Sequence, residues 1–250
     1  MPEYRLAGHV GDTAIRPVAG ARVEVVSGPR AGTFATTDAS GFFTMPGVFA
    51  SAIEIVATKD GHLSKTMSVP PSWPPSLPPR PPSDLYQVGF WLEPVGTVNT
   101  TGVYSLTVSA DSACAGLPAE ARARTYTATI STVTPTNVTS LLLGASGARF
   151  FTTHNRGHVV AAGDFVGIAL SITDRGQNYS VAGIVEKLGE RSYVAIHGLA
   201  DGTWEPSGMT VPFRGSFEFC PDEPGLVDDL YSCTAPAPIL CGSEHHRLAL

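Results

Sequence analysis

Two histidines and one carboxylate come closest, in residue type and spacing, to a site that could do chemistry. His154 and His158 are four residues apart, and Asp164 follows six residues after His158. Two imidazoles and one carboxylate form a ligand set that holds transition metals. On a helix the two histidines would share a face, but Gly157 and the surrounding strand pattern favour a loop. We therefore interpret the segment as a polar hairpin loop with solvated histidines, and we predict no metal and no other cofactor.

The four cysteines could form disulfide bonds, and their positions along the chain indicate how they pair. Cys114 follows the first predicted strand of the second half of the chain, and Cys241 precedes the last one. If these two strands pair to close a barrel, the two cysteines become neighbours, which predicts a Cys114–Cys241 bond. Cys220 and Cys233 then remain to pair with each other. Two disulfides are typical of an oxidising compartment, so we expect the protein to work outside the cytoplasm.

An alternative use of the same region is a zinc site. Its ligands would be Cys233, Cys241, His245 and His246. Their spacing fits no compact zinc motif, and we therefore favour the disulfides.

Two other residues are candidates for contact with a ligand. His197 shares one face of a predicted strand with Tyr193 and Ala195. If that face is the interior of a barrel, His197 would contact a bound molecule; otherwise it is an ordinary hydrogen-bonded strand residue. Trp204 lies beside a predicted turn, where an exposed indole would offer a flat face to a sugar ring. Trp91, on the outer face of its strand, would pack against the second domain.

Motifs of the common catalytic centres are absent from the sequence. It has no Gly-x-Ser-x-Gly elbow, no phosphate-binding glycine loop and no His-Glu-x-x-His pair. The net charge is −6 and the 16 basic residues are scattered, which argues against a nucleic-acid partner. No apolar run approaches the ~20 residues of a membrane-spanning helix. We predict that the protein is not an enzyme and has no membrane span.

Composition and periodicity indicate β-strands along the whole chain. Charged residues make up 15%, below the roughly 25% of ordinary domains, and 26 glycines and 21 prolines provide many turns. Apolar and polar residues alternate with period 2 at residues 21–25 and 53–55, and again at 104–108 and 126–130. The predicted fold is all-β: a β-sandwich first, then an antiparallel barrel or strongly curved sandwich.

Four motifs near the N-terminus, in this order, resemble the carboxypeptidase regulatory-like domain. They are residues 4–11, 17–25, 37–43 and 59–63. The resemblance extends over about residues 3–94 and implies a prealbumin-like (transthyretin-like) sandwich of seven strands with an immunoglobulin-like fold. Because the family is named after a domain that accompanies a peptidase, it implies an accessory role and no peptidase activity.

A proline-rich stretch interrupts the first domain before its last strand. Eight of the thirteen residues 70–82 are proline, which favours a stiff polyproline II loop, and we assign residues 69–83 to it. Residues 86–94 resemble the closing strand of the family, so the loop lies within the domain. The predicted domains are therefore 1–95 and 96–250.

The second domain has about nine predicted strands and resembles uncharacterised C-terminal β domains of secreted bacterial proteins. The resemblance is carried by residues 112–118 and 124–130 and by the ending from Cys241 to Leu248. It implies no known activity.

These observations predict a non-catalytic binding or structural accessory protein that contacts a glycan, a peptide or another protein. Secretion, the periplasm or the cell surface are the expected locations. Met1 runs straight into polar sequence without a signal peptide, so we expect a mature or cloned form, or another route of export. The alternatives are a small-molecule carrier with a lipocalin-like cavity and a structural protein of a virion or filament.

Overall fold

A computed structural model describes most of the chain. The described residues are 3–69, 85–133, 138–144, 148–150, 157–170, 183–222, 225–227, 230–233 and 238–250. The predicted proline-rich loop, from residue 70 on, and His154 lie outside them. The chain divides into two compact units, Met1–Thr97 and Val98–Leu250. Both consist mainly of strands. No helix in the described part of the chain is long and apolar enough to cross a membrane.

The described residues of the first unit form seven strands in two sheets. The strands are β1 (Arg5–Asp12), β2 (Arg22–Ser27), β3 (Phe34–Thr36), β4 (Phe42–Thr44), β5 (Ile53–Thr58), β6 (Lys65–Val69) and β7 (Leu85–Leu92). One sheet has the order β4-β1-β7 and the other the order β3-β2-β5-β6. β1 and β7 are parallel, and the other pairs are antiparallel. The predicted seven-stranded sandwich is confirmed.

The two sheets of the sandwich pack through the alternate residues of their strands. Leu6 and Val10 of β1, Val23 of β2, Ile55 of β5 and Phe90 of β7 are fully buried in one cluster. Burial of each such side chain stabilises the fold by about 1.5–3 kcal/mol. Because side chains alternate across a strand, the residues between them point to the outer face.

The second unit begins with β8 and ends with β19. Its elements are β8 (Gly102–Ser109), α1 (Ala119–Arg122), β9 (Ala123–Val133), β10 (Val138–Leu143), β11 (Ala148–Phe150), β12 (Gly157–Ala162), β13 (Phe165–Ala169), β14 (Ile184–Lys187), β15 (Tyr193–Thr203), β16 (Thr210–Cys220), β17 (Gly225–Val227), β18 (Leu230–Ser232) and β19 (Ile239–Ala249).

Eight of these strands close into an antiparallel barrel. The order is β8-β9-β10-β12-β13-β15-β16-β19, and β19 pairs back onto β8. β14 pairs with the first residues of β15, whose last residues pair with β13, and β11 pairs with β14. β17 and β18 form a separate hairpin. The predicted antiparallel closure is confirmed.

Large apolar side chains fill the interior of the barrel. Leu106, Ile130, Leu141, Phe213 and Phe217 come from four different strands, and all are fully buried in one cluster. The segment between β8 and β9 closes one end of the barrel, because its residues Cys114, Leu117 and Ala121 belong to the same cluster.

Candidate functional site

Three aromatic side chains form a row on the outer face of the β4-β1-β7 sheet. His9 lies opposite Phe42 of β4 and Gly89 of β7, and Trp91 stands one outward position beyond Gly89. The His9 ring centroid is 5.1 Å from that of Phe42 and 5.8 Å from that of Trp91. Phe42 is 59% exposed and Trp91 is 42% exposed. We call His9, Phe42 and Trp91 the aromatic face.

Glycines shape the backbone beneath the aromatic face. A Cβ atom on Gly11 would lie 2.5 Å from the Trp91 ring, so the indole rests directly on the backbone of β1. Gly41 has φ +77°, and a Cβ there would lie 2.9 Å from Nε2 of His9. A Cβ on Gly89 would meet nothing within 4 Å, which leaves open space beside His9.

The turn before β4 holds Phe42 in place. Oδ1 of Asp38 accepts hydrogen bonds from the backbone N–H of Ser40 at 2.8 Å and of Phe42 at 3.0 Å. This Asx-type turn, which ends at Gly41, sets the direction in which β4 begins. Phe43 is buried in the sandwich core, and Phe42 therefore points outward.

A second row on the same face is polar and uncharged. Ala7 lies opposite Thr44 on one side and opposite Gln87 on the other. Thr44 and Gln87 are exposed. The outward residues of the two rows include no Asp, Glu, Lys or Arg, and their polar groups are a hydroxyl, an amide and an imidazole.

Both disulfides have the predicted pairing. Cys114 and Cys241 are bonded with their Cα atoms 5.7 Å apart, and so are Cys220 and Cys233. The alternative zinc site is therefore wrong, because Cys233 and Cys241 have no thiolate to offer a metal. The Cys114–Cys241 bond joins the segment that closes the barrel end to the last strand.

Asp111 adds a polar connection beside that disulfide. Its backbone N–H donates to Nδ1 of His246 at 2.8 Å, and its Oδ2 accepts from the Ser243 hydroxyl at 2.6 Å. The hydrogen bonds from Ser243 and from the backbone of Ala113 lower the pKa of Asp111. His246 is fully buried, 4.9 Å from the Phe217 ring, and burial lowers its pKa. These contacts hold β19 to the end of β8.

A charged cluster connects β9 with β14. Nε of Arg124 donates to Glu186 at 2.7 Å, and a second guanidinium nitrogen also bonds that carboxylate. The hydroxyl of Tyr126 donates to Glu186 at 3.0 Å. Burial, with the Glu186 charge as second cause, raises the pKa of Tyr126. Both oxygens of the Glu186 carboxylate therefore accept hydrogen bonds, and the cluster connects β9 to β14.

His197 is on the outside of the barrel, so the condition for an interior ligand contact is not met. Val194 and Ile196 of the same strand belong to the interior cluster, which leaves His197 on the opposite face. Its Nε2 is hydrogen-bonded to the hydroxyl of Ser216 on β16. Burial lowers the pKa of His197. The residue is a hydrogen-bonded strand residue, which was the other interpretation of the sequence.

Trp204 is half-buried and packs against the barrel core. Its ring meets that of Tyr104 edge to face, with centroids 5.4 Å apart. Its backbone N–H donates to the carbonyl of Asp164 at 2.8 Å. These contacts give Trp204 a structural role at the end of β15.

His158 and Asp164 are not brought together. β12 separates them, with His158 near its start and Asp164 in the turn after its end, roughly 15 Å apart at ~3.3 Å per residue. His154, the third member of the candidate metal set, lies outside the described residues. Among the residues that are described, no three His, Cys, Asp or Glu side chains are grouped to hold a metal ion.

Phe42 and His9 are not marked as binding residues by any motif in the sequence. The available signal was the Asp-x-x-Gly turn followed by two phenylalanines, because on a strand only one of two adjacent residues can face the core. The pairing with His9 had no local signal, since the two residues are joined only by sheet register.

A two-sheet sandwich followed by a closed antiparallel barrel defines an all-β, two-unit protein. Residues 5–73 match the family model of the carboxypeptidase regulatory-like domain, so the N-terminal unit is a domain of this kind. No curated protein matches the chain. One solved structure similar to it is a protein of unknown function from Bacteroides fragilis NCTC 9343, described as membrane-associated. That protein has 12% identity and a TM-score of 0.26, over 99% of this chain and 97% of its own.

Proposed function

We propose that this protein is a non-catalytic accessory protein that works outside the cytoplasm and binds a partner through the aromatic face. The observation that carries the proposal is the exposure of Phe42 and Trp91 on one face of a sheet, beside a row of uncharged side chains. Exposed aromatic side chains in a cluster are a recurrent feature of binding surfaces. Sites on sheet strands are also more precisely held than sites on loops.

The location is supported by the cysteines. All four are paired in disulfides, and such pairs persist in oxidising compartments. The accessory role is supported by the N-terminal unit, because the carboxypeptidase regulatory-like family is non-catalytic.

The two alternative functions have less support. A carrier needs a cavity, whereas Phe213, Phe217 and other large side chains occupy the barrel interior, and His197 is outside it. No observation in the described part of the chain favours a virion or filament protein over a binding module.

The test is a binding screen with variants of the aromatic face. Wild-type protein, Phe42→Ala/Trp91→Ala and Phe34→Ala would be applied to arrays of polysaccharides, peptides and proteins. Phe34 is a matched control, because it is 47% exposed on the other sheet, beneath the guanidinium of Arg22. We expect binding to one class of partner, retained by Phe34→Ala and reduced at least tenfold in the double variant. Equal binding by the double variant would overturn the proposal, and far-UV circular dichroism would verify that each variant is folded.

A further inference from the structure

We propose that the partner of the aromatic face is a neutral polysaccharide, whose sugar rings stack on Trp91 and Phe42 across the three strands. This inference rests on the proposed function and specifies its ligand. The stacking surfaces, the absence of charge from the two rows and the size of the face each support it.

The spacing of the rings suits a chain of sugar units. Phe42, His9 and Trp91 come from adjacent strands, and their centroids follow one another at 5.1 and 5.8 Å. This step is close to the ~4.8 Å separation of neighbouring strands. The His9 ring plane is inclined by 67° to that of Phe42 and by 56° to that of Trp91. The apolar C–H face of a pyranose can therefore lie on Trp91 while another unit of the same polymer reaches Phe42.

The polar groups of the face are neutral donors and acceptors. The imidazole of His9 stands between the two stacking rings, and the Thr44 hydroxyl and Gln87 amide lie in the next row. These groups can hydrogen-bond sugar hydroxyls in both directions. Neither of these two rows contains a charged side chain, and the nearest one on this face of β1 is Arg5, one outward position beyond Ala7.

The apolar area is too small for a stable protein interface. Such an interface buries about 800 Å² on each partner. A wholly buried aromatic side chain supplies about 150–250 Å², and Phe42 and Trp91 are already partly covered. Two such rings are enough to stack sugar units, which need only the exposed faces.

Gly89 leaves room for the ligand. It lies directly opposite His9 in the outer row, and a Cβ there would meet nothing within 4 Å. A sugar ring placed on Trp91 can therefore extend over β7 without a clash. A larger side chain at this position would block the polymer and leave the sandwich core unchanged.

The experiment is affinity electrophoresis in native gels that contain hydroxyethyl cellulose, xyloglucan or mannan as neutral polymers and alginate as an anionic one. The proteins are wild type, Trp91→Ala, Phe42→Ala, Gly89→Val and Phe34→Ala. We expect at least one neutral polymer to retard the wild type and Phe34→Ala equally. The affinity should fall at least tenfold in Trp91→Ala and Gly89→Val, and severalfold in Phe42→Ala.

The possible results distinguish a wrong ligand from a wrong binding function. Binding to alginate alone, or to a peptide or protein alone, with loss in Trp91→Ala, would overturn the polysaccharide and leave the binding face intact. Binding that no variant of the aromatic face weakens, or no binding to any class, would overturn both. Thermal unfolding of each variant keeps a folding defect from being taken for lost binding.

Discussion

Trp91 lies against Gly11 on the neighbouring parallel strand, so closely that a Cβ at residue 11 would stand 2.5 Å from the indole ring. A glycine on one strand therefore decides where an exposed tryptophan on another can rest. The indole contacts backbone and is still 42% exposed.

We expect Gly11→Ala to displace Trp91 and to weaken binding at the aromatic face. The added methyl group would meet the ring and the backbone carbonyl of Arg16, 3.3 Å away, so overpacking should cost about 1–3 kcal/mol. Urea unfolding measures the stability, and tryptophan fluorescence reports the new environment of Trp91. Gly89→Ala is the control, because its methyl group would enter open space and stability should change little. Equal stability of the two variants would contradict the role of Gly11.

Removal of the Cys114–Cys241 disulfide should destabilise the barrel more than removal of Cys220–Cys233. The first bond joins residues 127 apart in the sequence and the second joins residues 13 apart. Because a longer closed loop restricts the unfolded chain more, the first bond should stabilise the fold by about 5 kcal/mol and the second by about 3 kcal/mol. Urea unfolding of the two double-alanine variants measures the difference. A greater loss of stability on removal of Cys220–Cys233 would show that loop entropy does not determine how much each disulfide stabilises the barrel.

Mild acid should destabilise the barrel through His197 and His246. Burial lowers the pKa of both, so the unfolded chain takes up protons more readily than the folded one. Their contribution to stability is fully present above the unfolded pKa of about 6.5 and is lost as the pH falls below it. Each histidine adds at most about 1.4 kcal/mol per pH unit. Urea unfolding between pH 7.5 and 5.5 should show a smaller slope in His197→Gln/His246→Gln, and an unchanged slope would contradict the assignment.

Glu186→Leu should be more destabilising than Arg124→Met/Glu186→Leu. The single change leaves the guanidinium of Arg124 and the hydroxyl of Tyr126 without their carboxylate, at a cost of about 3–5 kcal/mol. The double change removes both charges and retains apolar volume. Comparison of the two variants and Arg124→Met by urea unfolding gives the coupling energy. If the double variant lost as much as the two single variants combined, the ion pair would have no structural role.

Much of the architecture follows from local patterns. Alternation at residues 21–25 and 126–130 predicts strands because side chains point alternately to the two faces of a sheet. The Cys114–Cys241 bond also followed from the sequence, because barrel closure has to bring the first and last strands together.

The sequence by itself therefore determined the all-β class, the N-terminal family domain and the pairing of the cysteines. Only the tertiary structure decided which side of each strand faces a core. The period-2 pattern around His197 is the same for either orientation, and packing of Val194 and Ile196 inside the barrel placed the histidine outside. Tertiary structure also created the aromatic face, since His9, Phe42 and Trp91 lie far apart in the chain and meet only through the register of three strands. Register depends on the packing of the whole sandwich, which no local pattern encodes.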